Sequence, residues 1–254
     1  MEAMGVNIDE LKKYAELRSL NIGQTEKDYY QSIVLFSLYN KISGELVFKG
    51  GTALSKCYGL NRFSEDLDFT VVKEIDFAKL VKGGLEGFGI EHTMKETGRS
   101  ASSKKYKIKI KGPLYKGLEK TLCSVTLDFS MRESVVMKPE LATIGFHMDV
   151  IPAFEVYAMA QKEIFAEKVR AIMSRESARD LYDIVFLLRK GIGADSGIIN
   201  KKLEFVGQEF SPGKFAARCK ALGGIWQTEL KSLVKHVPAF DEYIREIKKW
   251  AGSQ

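Results

Sequence analysis

The stretch from Leu46 to Val72 constrains this chain more than any other, because three local signals fall within one short unit. Leu46, Val47 and Phe48 form an apolar run of strand type. Gly50 and Gly51 follow, and a glycine pair lets the backbone turn sharply and approach a ligand closely. Thr52 is a suitable N-cap for a short helix through Ala53, Leu54, Ser55 and Lys56. Free N–H groups at such a helix start suit a phosphate. Farther on, Asp66 and Asp68 flank Leu67 in a second apolar run, Leu67 to Val72. Positions i and i+2 of a strand face the same way. Both carboxylates therefore point at one spot, while Leu67 and Phe69 point into the core.

Two carboxylates about 4 Å apart, at an effective dielectric near 20, repel by roughly 4 kcal/mol. A hard cation such as Mg²⁺ removes that penalty and is commonly shared with substrate phosphates. A bare D-x-D is more often a pair of solvated aspartates at a strand end. Glycine turn, threonine and D-x-D in one unit favour metal-dependent phosphoryl or nucleotidyl transfer instead. The G-x-x-x-x-G-K-[ST] pattern is absent, so the unit is not a Walker loop.

The 254 residues suffice for one large domain or two small ones. No apolar run approaches about 18 residues, so no transmembrane helix is expected, and the N-terminal segment lacks a hydrophobic signal core. Cys57, Cys123 and Cys219 are odd in number and far apart, with neither zinc spacing nor a disulfide framework. A reducing cytoplasm fits best. The net charge of +6 is compatible with a nucleic-acid partner but only weakly favours one.

Along the chain, helical spacing predicts a first helix near Ile8 to Leu17. A longer one follows to about Ile42, with Thr25 and Asp28 in a capping arrangement. Lys27 and Asp28 read best as an exposed ion pair at its start. Arg62 and Ser64, just before D-L-D, stand where they could touch phosphates, as does Lys56, one turn after Thr52. Residues 76–88 read as a helix weakened by Gly83 and Gly84. In the run from Lys104 to Lys111, Tyr106, Ile108 and Ile110 alternate with lysines, which predicts a half-buried strand. Its lysine face could attract RNA phosphates; a solvated face that discourages edge pairing is the favoured reading. Thr121 to Met131 is another strand, with Ser124, Thr126 and Asp128 on one face. Short strands and connectors are expected from 134 to 154, and His92 and His147 read as structural. Two helices follow, one through Lys168 and one with Asp180 and Asp183 near its start. Three or four more helices are expected from Gly191 onward, with Lys231, Lys235, Lys248 and Lys249 as a basic edge.

The strings KGGTALSK, RFSEDLDF, EIFAEKVRAI and RDLYDIVFLL resemble the AbiEii/MenT-like nucleotidyltransferase toxins, a branch of the DNA polymerase β-type nucleotidyltransferase superfamily. The resemblance implies an α+β fold. A mixed β-sheet domain with flanking helices (1–157) would be followed by a helical C-terminal domain (158–254) that closes the active-site cleft. It implies that Asp128 joins Asp66 and Asp68 as a third carboxylate holding two Mg²⁺ ions, with Mn²⁺ as an alternative. Asp128, or less readily Glu133, would take the proton from the attacking hydroxyl. Gly50, Gly51, Thr52, Lys56, Arg62 and Ser64 would hold an NTP. Lys168 becomes a catalytic or nucleotide-site lysine, supported by Asp180 or Asp183. The implied acceptor is RNA, such as a tRNA 3′ end, and the implied partner is an antitoxin. Two alternatives stay open: a non-catalytic RNA- or nucleotide-binding module, and transfer to a protein or a small molecule such as an aminoglycoside.

Overall fold

A computed structural model describes residues 6–147 and 150–254. Residues 1–5 of the expected first domain, and 148–149 of the connector expected before 154, lie outside the described residues. The chain forms two compact units. One comprises Met1–Cys57, Phe63–Ser134 and Pro139–Ala158; the other comprises Tyr58–Arg62, Val135–Lys138 and Met159–Gln254.

The first unit is built on a mixed sheet. Its strands are β1 (Leu46–Lys49), β2 (Asp66–Val71), β3 (His92–Ser100), β4 (Ser103–Ile110), β5 (Cys123–Ser130), β6 (Glu140–Ile144) and β7 (Phe154–Ala158). They run in the order β3-β4-β5-β2-β1-β7-β6. The pairs β2–β5 and β1–β7 are parallel and the other neighbours antiparallel. One face is apolar, with Phe48, Leu67, Phe69, Val125, Leu127, Ile108 and Ile110 all buried. Phe69 stacks on Phe129 at 5.2 Å, and Phe129 on Phe77 at 5.0 Å. The opposite face carries the polar half of the alternation, which is why the aspartates and lysines of the sequence motifs end up together.

The helices of this unit are α1 (Ile8–Arg18), α2 (Ile22–Tyr39), α3 (Gly50–Tyr58, its last residue assigned to the other unit) and α4 (Phe77–Gly87). The start of α2 corrects the sequence reading. Asn21 is the N-cap and exchanges hydrogen bonds with Gln24, so the helix starts before Thr25 and Asp28 rather than at them. It ends at Tyr39, short of Ile42. Asp76 caps α4 through the N–H of Lys79. Gly84, which the sequence marks as a weak helix residue, sits where a Cβ would collide with Ser37 of α2. Its missing side chain permits close packing of the two helices.

The second unit is helical: α5 (Gln161–Ser174), α6 (Ala178–Arg189), α7 (Ser196–Leu203), α8 (Pro212–Ala221), α9 (Gly223–Leu230) and α10 (Phe240–Ala251). Its core gathers Phe165, Phe215, Trp226, Tyr243 and Ile247. The Trp226 indole donates to the carbonyl of Pro238 at 2.8 Å, so its polar edge is satisfied. Lys202 is fully buried and lies 2.7 Å from Glu163, whose carboxylate also accepts the N–H groups of Val136 and Met137. No helix among the described residues is long and apolar enough to cross a membrane.

Candidate active site

In the first unit, β1 runs straight into α3 at Gly50, whose φ of 77° is the left-handed value that favours glycine. A Cβ there would lie 2.5 Å from Oδ2 of Asp68, so the absent side chain also leaves room for that carboxylate. Helix α3 thus begins at Gly50, two residues before the predicted cap. Thr52 is buried inside it, and its hydroxyl donates to the carbonyl of Asp66. That bond ties the glycine turn to the D-x-D strand.

Strand register sets the carboxylates. Asp68 pairs with Asp128 on the parallel neighbour β5, and Asp66 pairs with Thr126. Residues directly opposite each other share a face, so Asp66, Asp68 and Asp128 lie on one side of the sheet. The same register line continues outward to Lys49, opposite Asp68 on β1, and to Lys105, opposite Asp128 on β4. Four strands therefore present a row in the order lysine, aspartate, aspartate, lysine. The Lys105 ammonium lies 2.7 Å from Oδ2 of Asp128. Oδ1 of Asp128 is buried and has no hydrogen-bond partner.

Sequence reasoning missed Lys49 and Lys105 as members of this row. The signal available was period two. Lys49 alternates with core Phe48, and Lys105 with half-buried Tyr106, but which face each met needed the register.

No group of three His, Cys, Asp or Glu side chains among the described residues is gathered closely enough to hold a metal ion. The three predicted ligands share a face without closing on one point, and Lys105 supplies the positive charge beside Asp128. The donor set nonetheless suits a hard divalent cation. It offers carboxylate oxygens, one of them buried without a partner, beside a glycine that leaves the approach open.

Lys56 does not face the glycine turn as expected. Its ammonium is almost fully buried, 2.8 Å from Oδ1 of Asp28 and 3.0 Å from the Ser32 hydroxyl. Its donors are engaged there because the earlier start of α2 turns Asp28 inward. The expected exposed Lys27–Asp28 pair is corrected with it. Asp28 is 6% exposed, while Lys27 reaches Glu65. Burial alone would raise the Asp28 carboxyl, but Lys56, His147 and Arg18 hold it well below the usual carboxylate range. His147 lies edge-on to Tyr14 and Tyr29. Ser64 contributes its carbonyl to Gln31 at 3.0 Å.

The second unit contains Arg62, Lys168, Asp180 and Asp183. They form a chain of alternating charge. Arg62 makes a bidentate bond to Asp183, at 2.6 and 2.7 Å. Lys168 lies 2.7 Å from both Asp183 and Asp180, and Arg175 lies 3.0 Å from Asp180. Burial opposes charge on Lys168, but Asp180 and Asp183 together raise its pKa above the ordinary lysine value. Burial likewise opposes charge on Asp180, and Lys168 and Arg175 hold its pKa well down.

A glycine turn entering a helix, a D-x-D strand beside it and a third aspartate on the parallel neighbour, on a mixed sheet followed by helices, give the architecture of a nucleotidyltransferase. The fold is similar to JHP933 from Helicobacter pylori (TM-score 0.65, 21% identity, 92% of each chain covered). It is also similar to a putative nucleotidyltransferase from H. pylori (TM-score 0.64, 23% identity, 89% of this chain and 92% of that one). A third similar structure is MenT4, a nucleotidyltransferase toxin from Mycobacterium tuberculosis (TM-score 0.66, 21% identity, 96% and 88% covered). No curated protein sequence matches the chain. The family model described as nucleotidyl transferase AbiEii toxin, type IV toxin–antitoxin system, matches residues 34–246. The chain belongs to the AbiEii family of nucleotidyltransferase toxins. Membership implies nucleotidyl transfer, a nucleotide substrate and an antitoxin partner.

Proposed function

We propose that this protein moves a nucleoside monophosphate from an NTP to a hydroxyl of RNA, with a tRNA 3′ end as the leading acceptor, in the cytoplasm, as the toxin of its system. The observation that carries the reading is the pairing of Asp68 with Asp128 on adjacent parallel strands, beside Gly50. Gly50, Gly51 and the start of α3 offer backbone N–H groups to the NTP phosphates. Asp66, Asp68 and Asp128 are the residues that would hold Mg²⁺, or Mn²⁺. When bound, such ions neutralise charge on the attacking and leaving oxygens. The acceptor hydroxyl attacks the α-phosphorus, the bond to the β-phosphate oxygen breaks and pyrophosphate leaves. Asp128 accepts the hydroxyl proton. Lys49 and Lys105 offset the repulsion between the two central carboxylates before substrate arrives. In this reading Lys168 remains the nucleotide-side lysine, kept charged by Asp180 and Asp183.

The test is incubation of the protein with each α-labelled NTP, Mg²⁺ and total tRNA. Label is expected in RNA with wild type and in none with Asp68→Ala. Label in protein or a small acceptor but never in RNA would refute the acceptor, and no transfer to anything would refute the reading as a whole.

A further inference from the structure

The polar face of the sheet does not stop at the carboxylates. On β4, Lys107 lies opposite Thr126 and Lys109 opposite Ser124, on the side that carries Asp66, Asp68 and Asp128. On β3, Lys95 lies directly opposite Lys107. Lysines 95, 105 and 107 are exposed and Lys109 is partly so. Acidic at β2 and β5, the face therefore turns basic at β4 and stays so to the sheet edge at β3.

Lys95 and Lys107 are the informative pair. Like charges directly opposite on neighbouring strands are destabilising. Among the described residues neither lies within ion-pair distance of a carboxylate; Glu119 is held by Lys109 and feels the Lys95 charge only at longer range. A lysine face whose only task was solubility would gain from an acid at either position. The arrangement instead leaves two ammonium groups open to an outside anion.

Side chains two apart on a strand are about 6.7 Å apart, close to the spacing of successive phosphates in an extended single strand. From Lys105, which touches Asp128, the row leads outward through Lys107 and Lys109, with Lys95 beside it. We infer that the lysine face of the β3–β4 hairpin is the track that holds the single-stranded nucleic-acid backbone of the acceptor, leading its terminal hydroxyl to Asp68 and Asp128. This rests on the proposed RNA acceptor and reverses the sequence expectation of a merely solvated face. The physical reason is that the lysines share the carboxylates' side of the sheet.

The experiment measures binding of a fluorescein-labelled oligouridylate to the full chain by anisotropy across a salt series, beside RNA labelling from NTP. Each lysine that neutralises a phosphate contributes about 0.7 to the slope of log K against log salt for a single strand. The double variant Lys95→Gln/Lys107→Gln should therefore lose about 1.4 from the slope. The same charge removed from α1, as Lys12→Gln/Lys13→Gln, should leave it unchanged. Lys95→Glu supplies the missing cross-strand partner for Lys107, so it should weaken RNA binding while leaving Tm unchanged or raised. A fall in Tm together with binding would make the lysines structural and overturn the track. If wild type labels RNA and the double variant keeps the wild-type slope, or the α1 control loses as much, the track is wrong while the transferase reading stands. If wild type neither binds nor labels RNA, the acceptor reading falls and the track falls with it; binding of an acidic protein partner to this face instead would be the sign of that outcome.

Discussion

Asp128 in the first unit and Asp183 in the second are both flanked by basic groups, yet they are held differently. Asp183 is fully buried and accepts three short contacts, two from Arg62 and one from Lys168. Asp128 receives one ammonium, from a lysine about half exposed, and leaves its other oxygen without a partner. A buried carboxylate with three short contacts has little left to offer, and breaking its pairs strands buried charge. A carboxylate whose counter-charge is a half-exposed lysine can exchange that counter-charge for a ligand. The same side chain is thus tightly held in one unit and loosely held in the other.

The largest effect should separate the two directly. Asp68→Ala should cut RNA labelling by about 10³-fold or more, since several kcal/mol of charge stabilisation is removed from the transition state. Its urea midpoint should fall by less than that of Asp183→Ala, since Lys49 is the buried cation opposite it on β1. A stable variant with wild-type labelling would dissolve the contrast. Asp183→Ala should have the larger effect on stability. Stranding Arg62, while Lys168 keeps Asp180, is expected to cost about 3–5 kcal/mol in urea unfolding.

Gly50→Ala tests the approach to Asp68. Its Cβ must displace that carboxylate, and the left-handed backbone resists it. Labelling is expected to fall by about 10²-fold, with a stability loss of about 1–2 kcal/mol. Wild-type labelling would show that the glycine only turns the chain.

Acid should also test how Asp180 is held. The Asp180 pKa is depressed in the folded protein. Its contribution is therefore present above the unfolded value near 3.9 and is lost as pH falls below it toward the folded value. Unfolding free energy should drop with acid in that window, and Asp180→Asn should flatten the drop, as followed by circular dichroism. The smallest effect belongs to Lys105→Ala. Its ion pair is partly solvated, so no more than about 1 kcal/mol of stability should be lost. A loss as large as that of Asp183→Ala would show that the two carboxylates are held alike after all.

Much of the first unit was legible in local pattern. The strand, the glycine turn and the D-x-D spacing each depend on neighbours a few residues apart, and period two already put Asp66 and Asp68 on one face. The alternating lysines of β4 were legible for the same reason. Asp28 was not. A cap placed at Thr25 instead of Asn21 turned an inward residue outward, because a shift of a few residues rotates a helix face. Lys56 followed it, since its partner could not be found without α2 in place.

The sequence by itself determined the family, the turn, the paired acids and the alternation of each strand, because all are carried by residue type at short spacing. Only the tertiary structure decided which strand lies beside β2 and in what register. A period-two pattern fixes two faces but not what either face meets. Hydrogen bonding between β2, β5 and β4 joined Asp68, Asp128 and Lys105 into one row, while Arg62 and Lys168 surrounded Asp183 with charge and Asp128 met a half-exposed lysine.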